Sequence, residues 1–265
     1  LEADFRRMVA LSRQQPPPTL DKRLERLSRL GSLLAANEAR FQEAISADFG
    51  HRAAIETKMA ETLLVQGEIK HARKHLKSWM ASQRVTTQPQ FWPAKNRLLP
   101  QPLGVVGIIA PWNYPLQLTL APAVGALAAG NRVMIKPSEL APRFAALLAE
   151  IVAAKFDATE MTVTGIEDEI AKSFASLPFD HLIFTGSTRV GRLVAEAAGR
   201  NLTPLTLELG GKSPVIIDRS ADLDQAAARI AYGKLLNAGQ TCIAPDYVLL
   251  PEVSLQDFSS KLDNQ

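Results

Sequence analysis

The 265-residue sequence contains one cysteine, Cys242. An intrachain disulfide is therefore excluded, and a reducing, cytoplasmic setting is expected. Long apolar runs are missing: the most apolar stretch, Leu118 to Gly130, is too short to cross a bilayer and carries Pro122. The N-terminal residues Leu1-Glu2-Ala3-Asp4-Phe5-Arg6-Arg7 lack the apolar core of a signal peptide. Charge of one sign is not in excess. Lys and Arg total 30 against 27 Asp and Glu, and a formal +3 is too small to argue for nucleic acid or an anionic membrane as partner. Internal repeats and low-complexity tracts do not stand out. What is present is ordinary globular material, 46% hydrophobic and 22% charged, in a length that suits one or two domains. The first residue is Leu rather than Met, so the natural N-terminus is expected to lie upstream.

Residues 1–80 read as helical. Leu20, Leu24, Leu27, Leu30 and Leu34 recur at spacings of three and four. Pro16-Pro17-Pro18 separates them from a shorter helix, and a further helix is expected from Thr57 to Met80. Residues 83–103 hold Pro89, Pro93, Pro100 and Pro102 beside Val85-Thr86-Thr87, which suits an extended arm or edge strands. From Leu103 the texture alternates. Strands are expected at Val105–Ala110, Arg132–Lys136, Met161–Thr164, His181–Phe184, Leu205–Leu209 and Val215–Asp218. Helices are expected near Leu116–Ala129, from Ser138-Glu139 to Lys155, Ile166–Ser176, Gly186–Gly199 and Asp222–Leu236. This alternation predicts an α/β fold with a doubly wound parallel sheet, whose ligands bind beyond the carboxyl ends of the strands.

Five polar motifs fall at such ends. Thr185-Gly186-Ser187-Thr188-Arg189-Val190-Gly191 follows a strand and opens a helix, a setting in which glycines admit a phosphate to backbone N–H groups. It fits neither G-x-G-x-x-G, since position 188 is Thr, nor a P-loop, since Arg192 and Leu193 follow Gly191. A tight strand-to-helix turn accounts for it equally well. In Pro111-Trp112-Asn113-Tyr114-Pro115 the Asn amide can donate to an oxyanion or simply cap the next helix, and the cap is the reading that the residues alone favour. Lys136-Pro137-Ser138-Glu139 offers a Lys and a Glu to ribose hydroxyls or phosphate, or else a capped helix start with a surface Lys. Glu208, in Leu207-Glu208-Leu209-Gly210-Gly211-Lys212, sits among apolar residues. Burial would raise its pKa toward that of a general base, unless it pairs with Lys212. A lone Cys is more often an inert buried residue than a nucleophile, but Cys242 follows Gly239-Gln240-Thr241 on a turn rather than within an apolar stripe, which strengthens the case for a nucleophile. His71 and His75 stand four apart, but Lys70, Arg73, Lys74 and Lys77 would repel a cation, so no metal is expected.

Taken together, in this order and at these spacings, the motifs resemble the aldehyde dehydrogenase superfamily over nearly the whole chain from Leu20. Leu202 to Glu208 and Ala244-Pro245-Asp246-Tyr247-Val248 resemble its class 3 branch, and within it the bacterial coniferyl aldehyde dehydrogenases. The resemblance implies an oxidoreductase that converts a small-molecule aldehyde, coniferyl or another aromatic or aliphatic one, to the acid with NAD, NADP being the alternative. Cys242 is then the nucleophile, Asn113 the oxyanion donor and Glu208 the base for deacylation. The cofactor would lie against Pro111, Trp112, Lys136, Ser138, Glu139, Thr185, Gly186, Ser187, Val190, Gly191, Leu209 and Gly210. The resemblance further implies a cofactor domain over residues 1–209, with residues 84–99 as a bridging and oligomerisation arm. It implies the start of a catalytic domain over residues 210–265, and a homodimeric parent. The chain stops 23 residues after Cys242 and no E-x-F-G-P occurs in it, so a truncated chain is expected, the alternative to an active enzyme being an inactive dinucleotide-binding fragment.

Overall fold

The helical periodicity of the N-terminal third and the strand–helix alternation that follows both appear in the computed structural model, which describes the backbone of residues 1–265 and all side chains except those of Asp168 and Val253. The chain forms two compact units, Leu1–Thr185 with Arg189–Glu208, and Gly186–Thr188 with Leu209–Gln265.

In the first unit, α1 (Glu2–Gln14), α2 (Leu20–Ala36), α3 (Glu38–Asp48) and α4 (Ala54–Thr57) come first. α4 runs through a π-helical turn, Lys58–Thr62, into α5 (Leu63–Trp79). Thr19 caps α2, its side chain accepting from the Lys22 N–H. β1 (Gln83–Val85) and β2 (Asn96–Leu98) pair antiparallel as a hairpin that is exposed along both strands. There follow β3 (Val105–Ile109), α6 (Gln117–Ala128), β4 (Arg132–Lys136), α7 (Pro142–Ala153), β5 (Met161–Val163), α8 (Asp168–Ala175), β6 (His181–Gly186), α9 (Thr188–Arg200) and β7 (Leu205–Leu209). The sheet order is β5-β4-β3-β6-β7, and β3 pairs parallel with both β4 and β6. The chain therefore winds outward from β3 in one direction and then in the other, as in a doubly wound α/β fold.

Strand side chains alternate between the faces, and the two cores follow that period. Val106, Ile108, Val133 and Ile135 join Leu27, Leu30, Leu34, Phe41, Ile69, Leu120 and Phe144 in one cluster. Val105, Met134, Leu182 and Phe184 join Phe5, Met8, Phe174 and Phe179 in the other. Gly107 is required on this second face: a Cβ there would stand 2.7 Å from the Phe179 ring. Buried Arg23 of α2 donates to the carbonyls of Ala128 (3.2 Å) and Ala129 (2.7 Å), which the end of α6 leaves without helical partners. Glu160, just before β5, gathers Arg26 and Arg29 of α2.

The second unit contains β8 (Ser213–Ile216), α10 (Leu223–Leu235), β9 (Pro245–Leu249) and α11 (Leu255–Asp263). β8 and β9 are parallel, and Ile217, Ala227 and Phe258 form its small core. Asp222 caps α10, accepting from the N–H groups of Asp224 and Gln225. Among the described residues, no helix is long and apolar enough to cross a membrane.

Candidate active site and cofactor edge

In the first unit the parallel register brings Ile109, Lys136 and Phe184 level at the carboxyl edge of three adjacent strands. The loops that leave this edge carry the motifs. The order of strand addition reverses between β3 and β6, so Pro111–Tyr114 and Thr185 flank the switch point at which such sheets take ligands.

Lys136 is not the surface lysine that a plain helix start would have. It is 3% exposed, and its Nζ donates to Glu139 Oε2 at 2.7 Å. Burial raises the Glu139 carboxyl pKa, but the Lys136 hydrogen bond and charge outweigh that and hold it below the usual carboxylate range. Glu139 stays ionised with about half of its side chain accessible (49%), which suits acceptance of two ribose hydroxyls. Ser138 and Glu139 do not open α7, as the sequence pattern suggested. Ser138 Oγ accepts from the Leu140 N–H, and α7 starts at Pro142. Its cap comes from Asp48 at the end of α3, which accepts from the N–H groups of Arg143 (3.1 Å) and Phe144 (2.9 Å). Thr185 and Gly186 end β6, half-buried, and exposed Ser187 leads into α9, whose first turn holds no acidic residue. Val190 is half-buried and Gly191 buried on that helix. The start of α9 admits an anion, and the Lys136–Glu139 pair separately offers a donor and an acceptor of the kind that ribose hydroxyls take.

Asn113 does not cap α6. The cap position, Leu116, lies three residues later and gives no side-chain cap, and the helix begins at Gln117. The cap is Glu61, from the π-helical turn. Its Oε2 accepts from Leu116 N–H (2.7 Å) and Gln117 N–H (3.0 Å), and its Oε1 accepts from Arg52 Nη1 (2.5 Å). Glu61 is fully buried; burial pushes its carboxyl pKa up, against Arg52 and the two backbone donors that pull it down. The Arg52 guanidinium lies over the rings of Phe49 (5.3 Å) and Tyr114 (5.2 Å), and Trp112 packs on Phe49 at 6.1 Å. Pro111 is buried and Asn113 half-buried between these anchored neighbours. Nothing in the local sequence flags Glu61 or Arg52 as anchors of this loop, since the N–H groups of Leu116 and Gln117 and the Tyr114 ring lie more than fifty residues downstream of them.

Glu208, at the end of β7, is exposed rather than buried among its apolar neighbours. Its suggested partner Lys212 instead donates to Asp246 at 3.1 Å within the second unit. Leu209 and Gly210 are also exposed, and a Cβ at Gly210 would meet nothing within 4 Å.

In the second unit three consecutive residues take left-handed backbone conformations before the cysteine: Asn237 (φ 52°), Ala238 (φ 53°) and Gly239 (φ 75°). For Ala this costs roughly 1–2 kcal/mol, and such strain is concentrated at functional turns. Asn237 is buried, its carbonyl accepts from Gln240 N–H (3.0 Å), and its side-chain amide donates to the Gln240 carbonyl (3.4 Å). The turn that results presents Cys242 exposed. His71, His75 and Trp79 stack along α5, and among the described residues no cluster of three metal-ligating side chains occurs.

The family model for the aldehyde dehydrogenase family matches residues 5–265, and the chain belongs to that family. It is 49% identical over 261 residues to a probable coniferyl aldehyde dehydrogenase of Pseudomonas aeruginosa, covering 98% of this chain and 55% of that protein. It is 41% identical over 264 residues to the 4,4'-diaponeurosporen-aldehyde dehydrogenase of Staphylococcus aureus, covering 99% and 57%. A solved structure of AldH from Staphylococcus aureus in a substrate-bound state superposes with a TM-score of 0.95 at 39% identity, over 99% of this chain and 57% of that one. A mutant aldehyde dehydrogenase C from Pseudomonas syringae, in complex with NAD+ and octanal, gives a TM-score of 0.85 at 27% identity, over 99% and 53%. The chain thus spans about half the length of the curated relatives it matches.

Proposed function

We propose that the protein to which this chain belongs oxidises an aldehyde to the carboxylic acid with NAD, and that residues 1–209 form its cofactor domain and residues 210–265 part of its catalytic domain. The observation that carries the reading is the exposed Cys242 on a strained turn, in a chain whose β3, β4, β6 and β7 ends bear the cofactor and oxyanion motifs. The Cys242 thiolate attacks the aldehyde carbon and the carbonyl oxygen becomes an alkoxide. The Asn113 side-chain amide and the Cys242 N–H donate to that oxygen. Lys136 and Glu139 hold the adenosine ribose, and the turn from Thr185 to Ser187, with Val190 and Gly191 on α9, holds the pyrophosphate. Pro111, Trp112, Ser138, Leu209 and Gly210 complete the cofactor contacts. When bound, the nicotinamide supplies acceptance of hydride. Glu208, open to solvent, deprotonates the water that hydrolyses the Cys242 thioester.

The carboxylate of Glu139 favours NAD over NADP, because it would repel a 2′-phosphate. The relatives named as coniferyl aldehyde dehydrogenases favour an aromatic aldehyde. A homodimer in the cytoplasm completes the reading, the exposed β1–β2 hairpin being a ready edge for pairing. The test is reduction of NAD and NADP in the presence of coniferaldehyde or a medium-chain aliphatic aldehyde. Turnover with coniferaldehyde and NAD should vanish in Cys242→Ala, and turnover that survives that substitution would overturn the mechanism. Glu208→Gln should keep the initial burst of NADH and slow the steady state; an unchanged steady state would remove Glu208 from deacylation.

A further inference from the structure

The residues on either side of Asn113 are held by side chains from the N-terminal helical layer that the reaction above leaves without a part. Trp112 packs on Phe49, and Tyr114 lies under the Arg52 guanidinium, which also covers Phe49. Arg52 is in turn held by Glu61, and Glu61 fixes the first two N–H groups of the segment that leaves the loop, at Leu116 and Gln117. The Asn113 loop is therefore clasped on both sides and at its exit by one connected set of groups. Arg52 is 4% exposed and Glu61 0%, so their ion pair is shielded from water.

A buried ion pair adds little net stability compared with apolar residues of the same volume, because both charges must be desolvated. It does impose directional bonds that apolar packing lacks, and here those bonds end on the backbone around Asn113. The π-helical turn Lys58–Thr62 carries Glu61 in the helical layer, and such turns are frequent at functional sites.

We propose that Phe49, Arg52 and Glu61 are positioning residues for Asn113, setting the direction of its amide toward the developing oxyanion. The inference rests on Asn113 being the oxyanion donor. Through the clasp, the N-terminal helices contribute to the rate of acylation without touching substrate.

The test is a double-mutant cycle in the intact gene product. The rate of the NADH burst with benzaldehyde and saturating NAD is measured for Phe49→Leu and Glu61→Gln, each with and without Asn113→Ala. Melting temperature and NAD affinity are read alongside. Misplacing a reacting group by about 1 Å can cost on the order of a hundredfold, so each single variant should slow the burst roughly ten- to hundredfold while NAD affinity stays within about twofold. In the Asn113→Ala background neither should slow it further. Equal losses in both backgrounds, or an unchanged burst in folded Phe49→Leu, would overturn the proposal. If Asn113→Ala alone leaves the burst unchanged, the oxyanion assignment itself fails and the positioning role falls with it. A loss in Asn113→Ala combined with additive partners sinks only the positioning role. Phe49 is half-buried and lies outside the ion pair, so Phe49→Leu decides the matter even if Glu61→Gln does not fold.

Discussion

Replacing Glu160 with Gln removes one negative charge from a site where three cations of α2 converge. Its carboxylate accepts from Arg26 Nε at 3.1 Å and Arg29 Nη1 at 2.7 Å, and Lys22 Nζ stands 3.4 Å away. The Lys22 side chain is 48% exposed, so water and salt reduce its share to about 1 kcal/mol or less. Arg26 is different. Its side chain is 6% exposed and its Nη1 already lacks a partner. Its charge also depresses the pKa values of Arg23 and Arg132, after the larger effect of their own burial. Without Glu160 the Arg26 guanidinium would remain buried and uncompensated among other cations. Breaking a buried pair from one side costs about 3–5 kcal/mol, a large part of the 5–15 kcal/mol typical of a folded domain. With a urea slope of about 3 kcal/mol/M, the midpoint for the unit containing the sheet should fall by about 1 M or more. Urea unfolding followed by circular dichroism, with each transition fitted separately, measures this. Glu25→Gln is the control. Glu25 also pairs with Arg29, but it is 48% exposed, and its loss should cost no more than about 1 kcal/mol. A loss below about 1 kcal/mol for Glu160→Gln at unchanged slope would refute the reasoning.

Acid should act through the same carboxylates. Hydrogen bonds from Arg29 and Lys22 bring the Glu25 pKa down to about 2, and for Glu160 the Arg29 and Arg26 contacts outweigh burial and hold its pKa below the ordinary value. Groups depressed on folding contribute fully above their unfolded pKa, and that contribution is lost as pH falls through the folded one. The melting temperature should therefore fall from about pH 4.5 toward pH 2, and less steeply in Glu160→Gln; a flat profile would contradict the assignment. Gly107→Ala should destabilise by about 1–3 kcal/mol through overpacking against Phe179 and Leu182. Gly125→Ala, where a Cβ meets nothing within 4 Å in α6, should gain up to about 1 kcal/mol, and thermal melts that rank the two the other way would rule this out. Glu139→Ala should weaken NAD more than NADP in a calorimetric titration, and an unchanged ratio would exclude a Glu139 contact with the ribose.

Short-range pattern was enough to read the sheet. Arg132–Lys136 and Leu205–Leu209 are strands over the residues expected from the sequence, the first being the short buried apolar run that a central strand of a parallel sheet requires. The direction of those strands also places the polar motifs after β3, β4 and β6 at one edge of the sheet. Other features depended on partners far away in the chain. α7 starts at Pro142 rather than Ser138 because Asp48, at the end of a helix in the N-terminal layer, supplies its cap. Asn113 is not the cap of α6 because Glu61 fills that role from the π-helical turn. Lys136 is buried, Glu208 is exposed, and Lys212 finds Asp246. Periodicity is a property of neighbouring residues, so it survives in the sequence alone. The partner and burial of a charged side chain depend on which distant elements the topology brings together, and that information exists only once the chain has folded.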